Sequence, residues 1–227
     1  MHDAEQLEET KFGVVNDYVN AFHSQKDAAI LSELYEIANA NHVPVVSHNV
    51  AKLLTSLVTI QQPGCILELG TAYGVSTYHM KKPLQHSAKI ITVDLVEERQ
   101  NIAKKFFEKT GLLDENTIFL CKDFRDDQFL KDLYSKYGAF DFIFIDAAKG
   151  QYQYLLDLLT PLVAKNGMIV FDNIFLNGWI INNCYPNHRQ KTVFLRMKQF
   201  LNDIQSNENY ISTLIPFDDG VLTLVKK

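Results

Sequence analysis

Between residues 65 and 171, short apolar runs alternate with stretches of helical periodicity, and no other pattern in the chain restricts its fold as much. The apolar runs fall near Ile66–Leu69, Ile90–Val93, Ile118–Cys121, Phe142–Ile145 and Met168–Phe171. Helical spacing fills the gaps near Gly74–Lys82, Glu97–Thr110, Asp126–Tyr137 and Tyr152–Val163, with Gly111 placed to close the second as a C-cap. Strands that are apolar along nearly their whole length must be covered on both faces. The alternation therefore predicts a parallel sheet with helices on both sides. A long loop, 172–187, and a helix from about Arg189 to Ile204 follow. Two last strands, Tyr210–Ile215 and Val221–Val225, flank the turn Pro216-Phe-Asp-Asp-Gly220. They add an antiparallel hairpin and bring the expected sheet to seven strands.

Ahead of the alternation, Phe12 to Phe22 and Asp27 to Asn39 read as helices, the second with Ile30, Leu34 and Ile37 at helical spacing and Leu31 and Ala38 beside them. Asn41-His-Val-Pro44 breaks it. Ser47 is placed to N-cap a third helix running to about Ile60, with Val50, Leu53, Leu54 and Leu57 as its apolar face. With 227 residues and no repeat or linker-like stretch, the expectation is one α/β domain over 1–227, its first 60 residues a helical extension. No apolar run approaches the roughly 20 residues of a membrane helix. The N-terminus is acidic and lacks a signal-like apolar core, which reads as cytoplasmic. Three cysteines without CxxC spacing argue against a disulfide framework or zinc, and Cys65 and Cys121, in apolar runs, are expected to be buried. The net charge of −5 gives no global nucleic-acid signature. Locally, Ile174 to Asn202 holds no acid but carries Arg189, Lys191, Arg196 and Lys198, either a patch for an anionic acceptor or a solvated helix face.

The candidate chemistry sits at the strand ends. Glu68-Leu-Gly70-Thr-Ala-Tyr-Gly74 is ExGxxxG and not the GxGxxG of dinucleotide enzymes. Gly70 lets the backbone turn tightly beside a ligand. Asp94 ends the second strand, where a carboxylate can accept from both ribose hydroxyls. Asp123 and Phe124 follow the third, placed for an adenine amine and ring, with Asp123 also readable as a helix N-cap. Asp146 follows the fourth strand, and Asp172 and Asn173 the fifth. Two carboxylates and an amide carbonyl are hard oxygen donors, suited to Mg²⁺, Mn²⁺ or Ca²⁺ and not to zinc. Their ordinary reading is as helix and loop caps. Lys149, three residues past Asp146, can stand beside an acceptor oxygen or be a surface lysine.

Together these residues resemble the cation-dependent O-methyltransferase family, which includes catechol and caffeoyl-CoA O-methyltransferases. The likeness runs from about Val43 to Lys227 and is most specific in Leu67-Glu-Leu-Gly-Thr-Ala, Phe144-Ile-Asp-Ala-Ala-Lys-Gly and Phe171-Asp-Asn. It implies a Rossmann-like fold, a homodimer, and S-adenosylmethionine held by Val46, Glu68, Gly70, Ser76, Asp94, Asp123, Phe124 and Asp146. It also implies a divalent cation on Asp146, Asp172 and Asn173, with Lys149 as catalytic base beside Asp146. Trp179 and Tyr185, in the 172–187 loop, are expected to cover the acceptor.

A narrower resemblance is to bacterial tRNA 5-hydroxyuridine methyltransferases. It rests on His42-Val-Pro44, on Asp146-Ala-Ala-Lys-Gly-Gln-Tyr-Gln153 and on the basic helix followed by Pro216 and Gly220. It makes 5-hydroxyuridine in tRNA the favoured acceptor, with small catechols, phenols or acyl-CoA phenols as the alternative. The chain departs from that group at Asn177, where a basic residue is usual, and at Asp218, where glycine is usual. Readings of other classes are an NAD-dependent oxidoreductase, opposed by the missing GxGxxG, and a non-catalytic adenosyl-binding module, which would need no base.

Overall fold

The computed structural model describes residues 14, 15, 17–23 and 29–227. Residues 17–23 are helical, as expected for the first helix; its start and the Asp27–Ala28 start of the second lie outside the described residues. Helix α1 spans Ala29–Ala40 and α2 His48–Gln61. Then come β1 (Cys65–Leu69), α3 (Val75–Lys81), β2 (Lys89–Asp94), α4 (Glu97–Thr110), β3 (Thr117–Cys121), α5 (Asp127–Tyr137) and β4 (Phe140–Ile145). A 3₁₀ turn at Lys149–Gln151 leads into α6 (Tyr152–Leu159), and β5 (Val163–Phe171), α7 (Lys191–Gln205), β6 (Tyr210–Ile215) and β7 (Val221–Lys226) complete the order.

The sheet has seven strands in the order β3-β2-β1-β4-β5-β7-β6. The first five pair in parallel, and β7 runs antiparallel to both its neighbours. The strands are buried as the apolar runs require, with one core on each face. Leu67, Leu69, Ile143, Ile145, Leu155 and Phe200 belong to the core on the side of α5 to α7. Ile66, Phe142, Phe144, Leu34, Leu54 and Phe107 belong to the core on the side of α1 to α4.

Local signals act as expected at several ends. The Ser47 side chain accepts from Val50 N at the start of α2, and Gly111, at φ 71°, closes α4. Three expectations change. The buried face of α2 is centred on Val50, Ala51, Leu54 and Val58, with Leu53 and Leu57 only partly buried. Strand β5 begins at Val163, five residues earlier than its apolar run, because pairing with β4 continues past a bulge to Phe140. Cys65 is buried, but Cys121 is exposed because it ends β3, the edge strand of the sheet. Among the described residues no helix is long and apolar enough to cross a membrane.

Candidate active site

Register places the chemistry. Leu69 is level with Val93 of β2 and with Ile145 of β4, and Ile145 is level with Phe171 of β5. The next residue on each strand is Gly70, Asp94, Asp146 or Asp172, so the four stand in one row. Backbone bonds carry the ladder that far: Gly70 N to Val93 O (2.9 Å), Asp146 N to Leu69 O (3.0 Å) and Asp172 N to Ile145 O (3.1 Å). The strand order reverses between β1 and β4, the crevice where parallel sheets of this kind take ligands.

A cavity of about 390 Å³ opens there, lined by Pro44, Gly70, Ala72, Asp94–Val96, Arg99, Phe124, Arg125 and 146–149. Gly70 is irreplaceable in form: at φ 107°, a Cβ would stand 2.7 Å from the Asp146 carbonyl oxygen. Asp94 is fixed by accepting from Ala72 N and Val96 N, each at 2.9 Å. Thus Gly70, Asp94, Phe124 and Asp146 come together on the cavity wall.

The other expected cofactor residues stand behind or beside it. Glu68 is fully buried under the loop and accepts from Ser76 Oγ and Thr77 Oγ1, both at 2.5 Å. Burial pushes its carboxyl up to about 7. Ser76, on α3, is thereby tied to β1. Asp123 does not cap α5; Asp126 does, accepting from Gln128 N and Phe129 N. The Asp123 carboxylate clasps the Arg125 guanidinium at 2.6 Å and 2.8 Å, and this holds it below the usual carboxylate range. Val46 is buried between α1 and α2, two residues past the cavity-lining Pro44.

On the other flank, Asp146 and Asp172 end neighbouring strands, and Lys149 Nζ donates to Asn173 Oδ1 at 2.5 Å. Asn173 has φ 54°, and its N–H donates to Asp172 Oδ1 at 2.8 Å, which ties the Asp172 carboxylate to the turn. Tyr152 OH anchors the Asp172 carbonyl at 2.7 Å. Burial raises the carboxyl of Asp146, against the pull of the Lys149 ammonium, and that of Asp172, with the charge of Asp146 adding to it. Two adjacent, desolvated carboxylates that repel one another, beside an amide oxygen, are the donor set a hard divalent cation satisfies. Among the described residues, no group of three or more His, Cys, Asp or Glu side chains is placed to hold a metal ion, so any cation here would need the Asn173 amide oxygen beside the two carboxylates.

The 172–187 loop is folded on itself, with Ile180 N bonded to Phe175 O and Cys184 N to Trp179 O. Trp179 packs on the core, and the Tyr185 ring lies 5.5 Å from that of Phe194 on α7. Sequence reasoning passed over Arg125, Arg99 and Ala72. Arg125 is signalled only by its spacing from Asp123, and Ala72 by nothing, since its φ of 45° is a property of the folded loop.

Known proteins resemble this chain in sequence and in fold. The chain is 24% identical to probable caffeoyl-CoA O-methyltransferase 3 of Dictyostelium discoideum, over 90% of its own length and 87% of that relative. It is 30% identical to a catechol O-methyltransferase of Niastella koreensis, over 75% of this chain and 77% of the other. The crystal structure of an O-methyltransferase from Bacillus cereus in complex with SAH superposes with a TM-score of 0.79 at 25% identity, covering 92% of this chain and 97% of that one. The family model described as O-methyltransferase matches residues 21–227, and a row of strand ends built in this way is therefore that of a member: the chain belongs to the O-methyltransferase family.

Proposed function

We propose that this enzyme moves the methyl group of S-adenosylmethionine to a hydroxyl whose neighbour is a second oxygen, with a divalent cation held by Asp146, Asp172 and Asn173. The observation that carries this reading is that Lys149, on the wall of the cavity at the β1–β4 crevice, hydrogen-bonds Asn173 and interacts electrostatically with both Asp146 and Asp172. Gly70 admits the donor close to the backbone, and Asp94 is placed for its ribose hydroxyls. Phe124 and Asp146 complete the wall, while Glu68 and Ser76 hold the loop from behind. When bound, the cation supplies positive charge that stabilises an acceptor oxyanion.

Lys149 stands where the acceptor hydroxyl gives up its proton. With Lys149 present as the neutral amine, the acceptor proton passes to its nitrogen, giving the ammonium, as oxygen bonds the methyl carbon and the carbon–sulfur bond breaks, leaving S-adenosylhomocysteine. Alignment of the two reactants by the row of strand ends can supply roughly 7–11 kcal/mol.

Two acceptor classes present such an oxygen pair. A catechol-type phenol is supported by the relatives, named as catechol and caffeoyl-CoA O-methyltransferases. The 5-hydroxyl of 5-hydroxyuridine in tRNA, beside the 4-carbonyl, is supported by a cavity of about 670 Å³ whose lining includes Arg125, Lys149 and, from the acid-free stretch, Arg196, with Asp157 the one acid among them. Labelled S-adenosylmethionine with Mg²⁺, offered with tRNA containing 5-hydroxyuridine and with a catechol, separates them. Chelator should abolish transfer, and Lys149→Ala should lower turnover by about 10²–10⁴-fold while donor binding persists. Transfer indifferent to both would sink the mechanism.

A further inference from the structure

The turn between β6 and β7 carries two adjacent carboxylates that serve different parts of the molecule. Asp219 belongs to the loop after β5: its carbonyl accepts from Phe175 N at 2.9 Å and its carboxylate from Gly178 N at 3.3 Å. Asp218 faces the other way. Its carboxylate accepts from Ser47 Oγ and from the side-chain amides of Asn20 (3.2 Å) and Asn49 (3.3 Å). Asn49 is fully buried, and its Oδ1 lies 2.7 Å from His23 Nδ1. One carboxylate thus joins the C-terminal hairpin to the first turn of α2 and to the segment that carries Asn20 and His23.

Backbone conformation sharpens the point. Asp218 has φ 49°, in the left-handed region that favours glycine. An aspartate there costs backbone energy that its three partners offset. One of those partners leads to the cavity wall: Ser47 caps α2 directly after Val46, three residues past Pro44, which lines the cavity. Residues 43–48, Asn20, Tyr35 and Asp218 also line an adjoining space of about 510 Å³.

We infer that Asp218 is a positioning residue for the methyl donor, fixing residues 43–47 and the Asn20 segment so that the donor meets a preformed wall. This rests on reading the β1–β4 cavity as the donor site. Asp218 itself touches neither reactant.

Calorimetric titration with S-adenosylmethionine tests it on the full chain. Asp218→Gly is the informative variant, because glycine accepts the backbone angle and the turn keeps its shape. It should weaken donor binding about tenfold, the scale of one lost hydrogen bond to a charged group. Asp218→Asn, which keeps one carbonyl acceptor, should lose less. Turnover at saturating donor should stay within about twofold, a KM-against-kcat split that general destabilisation does not produce. Ser47→Ala should weaken binding as well, and the double variant should be no worse than Asp218→Gly alone, because both changes break the same link. Wild-type affinity in Asp218→Gly, or losses that multiply in the double variant, would overturn the inference. Wild-type protein that fails to bind the donor would overturn the reading of the cavity and this inference with it.

Discussion

Glu68 shows how one residue under the site shapes the enzyme's response to pH. It has no solvent-exposed surface, and burial moves its carboxyl from an ordinary 4.5 to about 7, although the hydroxyls of Ser76 and Thr77 pull the other way. The unfolded chain releases this proton near pH 4.5 and the native chain near pH 7. Within that window the folded state holds a proton the unfolded state has lost. Glu68 therefore makes stability fall as pH rises from about 4.5 to about 7, with no further change above. The slope is at most about 1.4 kcal/mol per pH unit, the value for one proton. Urea unfolding of Glu68→Gln at pH 5 and pH 7.5 should show a smaller loss of stability between the two than the wild type, the rest coming from the raised carboxyls of Asp146 and Asp172. An unchanged difference between the two pH values would mean that Glu68 is ionised in the native protein throughout.

Among the elements, α5 separates two roles that its sequence runs together. Asp123 and Asp126 are both spaced to begin a helix, and only the folded chain assigns the cap to Asp126 and the Arg125 clasp to Asp123. Asp126→Ala should lower stability by about 1 kcal/mol, readable as a drop in unfolding midpoint, with donor affinity retained. Much of the site was legible because each parallel strand announces its end with Gly or Asp, and pairing in register then aligns Gly70, Asp94, Asp146 and Asp172. What the sequence hid depends on partners far away in the chain. The polar start of β5, Ala164 to Gly167, carries no strand signal of its own and is strand only through its pairing beyond the bulge with Phe140. Cys121 sits in an apolar run, but whether a strand is central or at the edge is set by sheet order, not by its residues. The links from Asp218 to Asn20 and Ser47 span most of the chain and leave no trace at short range.

Over the whole molecule, the last strand in chain order fills an inner place in the sheet. Strand β7 lies between β5 and β6, with Leu224 level with Ile169 on one side and Ser212 on the other. Leu224 is fully buried, so Leu224→Ala should cost about 2–5 kcal/mol. Because β6 reaches the sheet only through β7, the hairpin is expected to dock after the parallel strands have paired. The loss should then appear mainly as faster unfolding, with the refolding rate little altered, in a denaturant-dependent kinetic series. A refolding rate that absorbed most of the loss would place β7 in the early nucleus. The turn of that hairpin is where Asp218 and Asp219 grip the α2 cap and the loop after Asn173, and where Gly220 leaves no room for a side chain against Phe175. Docking the hairpin is thus also the act that completes the surroundings of the candidate site. A molecule caught just short of it would have most of its sheet and none of its activity, so activity marks the completion of folding more strictly than secondary-structure content does.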